Sequence, residues 1–515
     1  MNASPSISGN SRRIARNTVF LYFRMLLTMA ITLYTSRVVL AVLGIEDFGI
    51  YDVVSSVVTM FAFLNSSMVT STQRYITVAI GKEDGEEASK VFSNAVRIHL
   101  LIGLAVILLC ETVGLWFLEH KLVIPAERMP AARWVFQLSL LSFFINVTQV
   151  PYNAVIIAHE KMDVFAYISI LDVLLKLGIV LLLKIVPIDK LVAYAILTFI
   201  VTQIIRSLYR IYCRHHFEEC GRRVFSRDGL YKGMLKFAGW NLFGSLAWMM
   251  RDQGINILLN VFFGPVVNAA RGTATKVSSA VQGFVSNFST AINPQITKNY
   301  AQGRLDKMEE LACRGARFSF LILFVIALPL MMTMDTVLGW WLVEVPDNTG
   351  IFLQFILLDS LINAVFSNPL ITSLMATGNI RNYQITVSAI MLLVVPAGYF
   401  LLKGGMPAYS VFALLCLVSI VAGLARYRFC VRQIGYHWSF FFKDVIARVL
   451  GTAVLAVPLP LLVRHYLGSG NGFAGFAALC LIAVACVALA SLAVGISREE
   501  RLMLKAELAK KFGKG

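Results

Sequence analysis

The stretch WVFQLSLLSFFINVTQVPYNAVIIAH, Trp134–His159, decides the fold. Its twenty-six residues separate Arg133 from Glu160 without one Asp, Glu, Lys or Arg. A membrane-crossing helix needs roughly 20 mostly apolar residues, and this run meets that length. The region before it behaves alike, with thirteen uncharged residues between Arg97 and Glu111. Across all 515 residues, 58% are hydrophobic and 15% charged, where a soluble chain carries about a quarter charged. The balance excludes a disordered chain, a coiled coil and an ordinary cytosolic enzyme. It predicts an all-α polytopic membrane protein.

Working outward from that run, helices are expected at about 17–42, 48–80, 91–118, 134–158, 163–186 and 189–212, then at about 235–262, 267–297, 316–340, 350–376, 382–402 and 407–430, with two more at about 444–466 and 472–496. Fourteen spans use roughly 280 residues and leave short loops, with no room for a large soluble domain. The expected organisation is a cytoplasmic segment 1–16, a first lobe 17–212, a basic cytoplasmic linker 213–234, a second lobe 235–430, helices 13 and 14 within 444–496, and a tail 497–515. The first ten residues are polar and the first apolar run carries Arg24 and Arg37, so the first span is expected to be permanent rather than a cleaved signal.

The net charge of +17 is read by location, because Lys and Arg accumulate on the cytoplasmic side. With the N-terminus inside, 28 basic residues fall on the inner side and 6 on the outer, which predicts both termini in the cytoplasm. Trp116, Trp134, Trp340 and Trp341 fall at outer edges, and Trp240 and Trp438 near inner ones, the depth that amphipathic rings prefer. In the tail, Ser497 and Glu500 fit a capping box. Leu504, Leu508 and Phe512 then share a face beside Lys505, Lys510 and Lys511, as expected of a helix lying on anionic lipid.

The first six segments resemble the second six. Gly81-Lys82-Glu83-Asp84 matches Gly303-Arg304-Leu305-Asp306 at an offset of 222, Gly44 matches Gly264 at 220, and Pro151 to Ala158 matches Pro369 to Ala376 at 218. A six-plus-six duplication is the mark of a two-lobed transporter, and an even number of helices gives both halves the same orientation. Substrate is then expected between lobes related by an axis along the membrane normal. Pro151, Pro329, Pro369 and Pro396 lie inside predicted helices and are expected to bend them.

Charges inside a span are costly and usually face a cavity or a partner. Asp172 and Lys176 are four apart and can neutralise each other, while Arg37, Asp52 and Arg271 sit near outer ends, where snorkelling to water would explain them. That leaves Arg24, Arg251 and Lys276 as the informative cations, with Asp252 and Asp359 as acids that balance them or couple an ion. Excess positive charge on helices one, seven and eight suits an anionic group such as a phosphate or pyrophosphate.

Other signals are weaker. Cys110, Cys416, Cys430, Cys480 and Cys486 sit in or at apolar runs, Cys213, Cys220 and Cys313 sit in basic loops, and no disulfide framework emerges. Cys213, His215, His216 and Cys220 could hold zinc on paper, but a solvated basic loop is preferred. His99 is read as a packed helix histidine rather than a proton carrier. No Gly-x4-Gly-Lys-Ser/Thr loop exists, so ATP is not hydrolysed by this chain. No catalytic residue, metal, cofactor or nucleic acid is called for.

Arg16-Asn17-Thr18 through Thr35-Ser36-Arg37, followed by Leu43-Gly44-Ile45-Glu46-Asp47-Phe48-Gly49-Ile50-Tyr51, resembles the polysaccharide flippases of the multidrug/oligosaccharidyl-lipid/polysaccharide exporter superfamily, whose drug exporters give the MATE-like fold its name. Thr72-Gln73-Arg74-Tyr75 and Ala376-Thr377-Gly378-Asn379 extend the resemblance, which covers nearly the whole chain. It implies transfer of an undecaprenyl-pyrophosphate-linked oligosaccharide, a unit of lipopolysaccharide O-antigen, capsule or exopolysaccharide, from the inner to the outer leaflet of the bacterial plasma (inner) membrane. It implies cavity cations at Arg24, Arg251, Arg271 and Lys276, and a groove for the polyprenyl tail formed by helices 13 and 14. Its implied partners are membrane lipids and the polysaccharide polymerase and chain-length machinery.

Two rivals are weighed against this. A drug or cation exporter of the same superfamily would favour cavity acids and an aromatic pocket, against the excess of Arg and Lys. A membrane-embedded polymerase, glycosyltransferase or ligase generally needs a long external loop. The longest here, Glu119–Arg133, holds only Glu119 and Glu127 as acids. Glu46-Asp47 is read as a polar helix–helix turn.

Overall fold

In a computed structural model of the chain, the described residues are 6–59, 62–120, 124–183, 185, 187, 189–221, 229–263, 265–341, 347–366, 368–467 and 472–502. Their regular structure is helical, and they form two compact units, Met1–Ser245 and Leu246–Gly515.

The first unit opens with α1 (Ser6–Thr59), which is one helix only up to Gly44. There φ is 83° and ψ 167°, a conformation a glycine adopts at little cost, and the chain turns into a second helix. Then come α2 (Ala62–Gly81), α3 (Gly85–Leu109), α4 (Leu115–His120), α5 (Met129–Ala158), α6 (Met162–Leu182), α7 (Lys190–His216) and the start of α8 (Gly229–Phe263). The decisive run of the sequence becomes α5. Being apolar on every face, it is the centre of the unit and packs on α1, α2, α3 and α7, with Val135, Phe136, Val155 and Ile156 in the core.

The second unit contains α9 (Pro265–Ala301), α10 (Leu305–Trp341), α11 (Thr349–Phe366), α12 (Asn368–Thr377), α13 (Arg381–Leu392), α14 (Val394–Lys403) and α15 (Ser410–Ile434). After these come α16 (Trp438–Phe441), α17 (Ala447–Ala456), α18 (Pro458–Leu467) and α19 (Phe473–Ala490). The packing plan repeats: α11 takes the role of α5 and packs on α9, α10 and α15. Pro396 has no N–H for a bond to Leu392, and the ladder breaks there between α13 and α14. Pro151 and Pro329 are accommodated inside α5 and α10.

The duplication is visible bond by bond. At the end of α2, Asp84 N–H donates to the Ala79 carbonyl around Glu83 at φ 60°. At the end of α9, Arg304 N–H donates to the Asn299 carbonyl around Gly303 at φ 70°. The equivalent residues are therefore Glu83 and Gly303, an offset of 220 rather than the 222 read from the Gly-Lys and Gly-Arg pairs. Glu160 and Gly378, both at positive φ, end α5 and α12 in the same way at an offset of 218. The Cys213 thiol lies 3.6 Å from the Tyr152 carbonyl, and its counterpart Cys430 lies 3.9 Å from that of Leu370.

Ten helices among the described residues are long and apolar enough to cross a membrane. They carry segments 3–6 and 9–14 of the sequence reading. The other four segments fall on α1 with α2, on α8 and on α9. Cys213, Cys220 and Cys313 are buried rather than in open loops, because α7 runs on to His216 and α10 begins at Leu305. All eight cysteines are free, and the described residues hold no cluster of metal-ligating side chains. Asp47, just after the turn at Gly44, is an ion-pair partner: Arg128 bonds Asp47 and Asp189 together, the latter at 2.6 Å.

The tail begins as expected. Ser497 N–H donates to Glu500 at 2.8 Å, and Glu500 N–H donates to Ser497 Oγ at 3.2 Å. The same Glu500 accepts from Arg317 Nη2 at 2.5 and 2.6 Å, while Arg317 Nη1 donates to Asp444 at 2.8 Å. Leu504, Leu508, Phe512, Lys505, Lys510 and Lys511, like residues 222–228 of the expected linker, lie outside the described residues. So do the side chains of Arg37, Glu46, Asp52 and Trp341.

Candidate functional site

The α8–α9 hairpin sets the site. Asn268 on α9 donates to the Asn256 side chain on α8 at 2.7 Å, and one turn further Arg271 Nη2 donates to Asp252 Oδ1 at 2.5 Å. Arg271 is thus buried and held by an acid, not snorkelling at an outer end. Gly254 lets α14 come close: a Cβ there would lie 2.6 Å from Val395.

Arg251, beside Asp252 on α8, is 7% exposed. Its guanidinium lies 5.8 Å from the Trp248 ring centre, and its Nε and Nη1 have no hydrogen-bond partner among the described residues. The charges acting on it are those of Asp359, Asp252, Arg426 and Arg271. Asp359, on α11, accepts from Ser419 of α15 at 2.5 Å and from Asn363 at 3.0 Å. Arg426, on α15, is 4% exposed and reaches the Met391 sulfur at 3.6 Å. Among the described residues three guanidinium groups therefore lie near two carboxylates, and one positive charge is in excess even with both acids ionised. Removing a charge from water is expensive unless a partner of opposite sign is supplied.

The second unit thus brings together Arg251, Asp252, Arg271 and Asp359. Lys276, five residues beyond Arg271 on α9, is exposed. Arg24 belongs to the first unit, where its guanidinium stacks 4.9 Å from the Phe165 ring centre. Asp172 and Lys176 form the expected pair at 2.8 Å. His99 is fully buried, with Nδ1 2.7 Å from the Ala95 carbonyl.

Arg426, one of the 28 basic residues expected on the inner side, is buried within α15. The signal was present: Ser419, Gly423, Arg426 and Cys430 recur at helical spacing, so Arg426 shares the stripe that packs inward.

Next to this cluster, α9, α11 and α12, with Leu323 of α10, line an open cavity of about 600 Å³. Asn363, which donates to Asp359, lines it, so the cavity and the charges adjoin through one side chain. Two hydroxyls along α9 donate to carbonyls one turn back, Ser279 to Thr275 at 2.8 Å and Thr290 to Ser286 at 2.9 Å. That arrangement satisfies these two hydroxyl protons and leaves their oxygen lone pairs available.

Known proteins locate this architecture. The polysaccharide biosynthesis protein family matches residues 14–300, more than half of the chain. No curated protein matches it. Among solved structures, an outward-facing multidrug resistance MATE family transporter of the MOP superfamily superposes with a TM-score of 0.69 at 14% identity, covering 84% of this chain and 99% of its own. A MOP superfamily transporter from Pyrococcus furiosus, described as having a binding pocket of reversed polarity, gives 0.68 at 13% identity over 84% and 99%. A MATE structure in the bent conformation gives 0.68 at 15% identity over 83% and 96%. With its paired six-helix packing plan and ten apolar membrane-length helices, the chain is a multi-pass membrane protein of the polysaccharide biosynthesis protein family, built on the MATE transporter fold.

Proposed function

We propose that the protein is a flippase that moves an undecaprenyl-pyrophosphate-linked oligosaccharide from the inner to the outer leaflet of a bacterial plasma membrane by alternating access, with both termini in the cytoplasm. The observation that carries the reading is Arg251: a buried guanidinium in a membrane protein, with two nitrogens unpartnered among the described residues, inside a cluster with one cation in excess. A planar guanidinium fork matches phosphate oxygens two at a time, so a pyrophosphate would complete its bonding and its charge balance. Family membership supplies the polysaccharide context. Asp252 holds Arg271 in position beside Arg251. The polymerase and chain-length machinery would receive the unit on the outer side.

The test is reconstitution of the full chain in proteoliposomes. A fluorescent undecaprenyl-pyrophosphate glycolipid should become accessible in the opposite leaflet with the wild-type protein and not with Arg251→Ala. Movement of cationic dyes without movement of the glycolipid would replace the flippase by a drug exporter, and cleavage or extension of the glycan would make the protein an enzyme.

A further inference from the structure

The cavity of about 600 Å³ between α9, α11 and α12 is within the range of small-molecule sites. Of its thirteen lining residues among those described, nine bear a hydroxyl or amide and none is charged or aromatic. On α9 they recur at helical spacing through Ser279, Gln282, Ser286, Ser289 and Asn293, a polar stripe on one face. One edge is braced by bonds among protein groups: Gln282 Nε2 donates to Ser360 Oγ at 3.0 Å and to Ser278 Oγ at 3.1 Å. The other edge is not. Ser289 is 7% exposed, and neither its Oγ nor Asn293 Oδ1 has a hydrogen-bond partner among the described residues. Buried polar groups are ordinarily paired, and an unpaired one is costly, so these atoms call for a ligand with neutral donors and acceptors.

The lining also says which ligand it refuses. A polyprenyl tail would leave nine polar side chains against hydrocarbon. Among the described lining residues a pyrophosphate would find no cation, and an organic cation neither acid nor ring. A sugar offers many hydroxyls and no charge. We infer that this cavity is a glycan subsite, in which Ser289 and Asn293 hydrogen-bond the neutral sugar of the substrate while the adjoining Arg251 cluster takes its pyrophosphate. The inference rests on the flippase reading and adds to it a recognition element for the cargo.

The unpartnered Ser289 Oγ makes the test clean. If the residue were only structural, Ser289→Ala would delete a buried unpaired group and cost the fold nothing. Purified full-length protein should bind two probes: undecaprenyl pyrophosphate carrying a neutral oligosaccharide, and undecaprenyl pyrophosphate alone. Ser289→Ala and Asn293→Leu should each weaken the first by about threefold to tenfold, the size of one lost hydrogen bond, and leave the second unchanged. Equal weakening of both probes, or no change in either, overturns the glycan subsite while the flippase reading stands. Wild-type protein that binds neither probe overturns both.

Discussion

Arg317 and Arg251 are both buried in the second unit, and they are opposites. Arg317 is 0% exposed and lies between two carboxylates, with Asp444 at 2.8 Å and Glu500 at 2.5 Å. Its neighbours extend the network, since Arg448 meets Asp444 at 3.0 Å and Arg314 meets Glu500 at 3.4 Å. Arg251 is nearly as buried, but two of its three nitrogens make no hydrogen bond among the described residues. Burial therefore does not identify a functional charge. The carboxylates that answer the charge separate them: both Nη atoms of Arg317 bond acids and its Nε alone is unpartnered, whereas Nε and Nη1 of Arg251 both lack a partner among the described residues, as the proposed pyrophosphate contact requires.

The sharpest way to break this contrast is substitution at both places. Arg317→Met leaves the buried Glu500 and the partly buried Asp444 without their central cation and should cost about 3–5 kcal/mol, the usual result of breaking a buried pair. Loss of the protein from membranes, or a large drop in its unfolding temperature, is the expected outcome. Arg251→Ala should leave the protein in the membrane at normal levels and abolish surface polysaccharide. Arg251→Lys should restore part of export, because the charge survives and the two-pronged geometry does not. If Arg251→Ala instead removes the protein from the membrane, the contrast fails and both arginines are structural.

Smaller effects sharpen it. Asp252, with a third of its side chain exposed, shares its charge with water, so Arg271→Gln should cost only about 1 kcal/mol of stability. Detergent-melting of the purified variant reads this out. The smallest effect is one of pH. His437, in the turn between α15 and α16, is hydrogen-bonded to Glu309 at 2.9 Å, and that bond and charge, helped by Asp306, raise its pKa above the ordinary histidine value. A raised value in the folded state means stabilisation that is complete below the unfolded pKa of about 6.5 and lost as pH rises through the folded one. Melting curves at pH 6 and pH 8.5 should differ slightly in the wild type and coincide in Glu309→Gln.

The two halves also differ in how legible they were in the sequence. The apolar α5 and the turn at Gly44 could be read directly, because a run without charges and a glycine between helices each have one physical meaning. Arg251, Asp252 and Asp359 could be singled out because charges within spans are rare. Their pairing could not, since nothing in the chain says that Asp252 faces Arg271 rather than Arg251. Arg426 was hidden by its neighbours: Arg428 and Arg432 made a basic helix end of what is partly a core face. The α9 cavity lacked any charged residue to draw the eye, although its polar side chains recur every three or four positions.

Arg317 and Glu500 are separated by 183 residues of chain, and Arg317 and Asp444 by 127. At about 5–20 residues per second, a ribosome needs roughly 10–40 s to progress from the first to the last. During that interval the nascent α10 carries a cation whose second carboxylate has not been made. The full network can therefore form only once synthesis has passed Glu500. A chain ending between Asp444 and Glu500 would leave Arg317 with one of its two carboxylates.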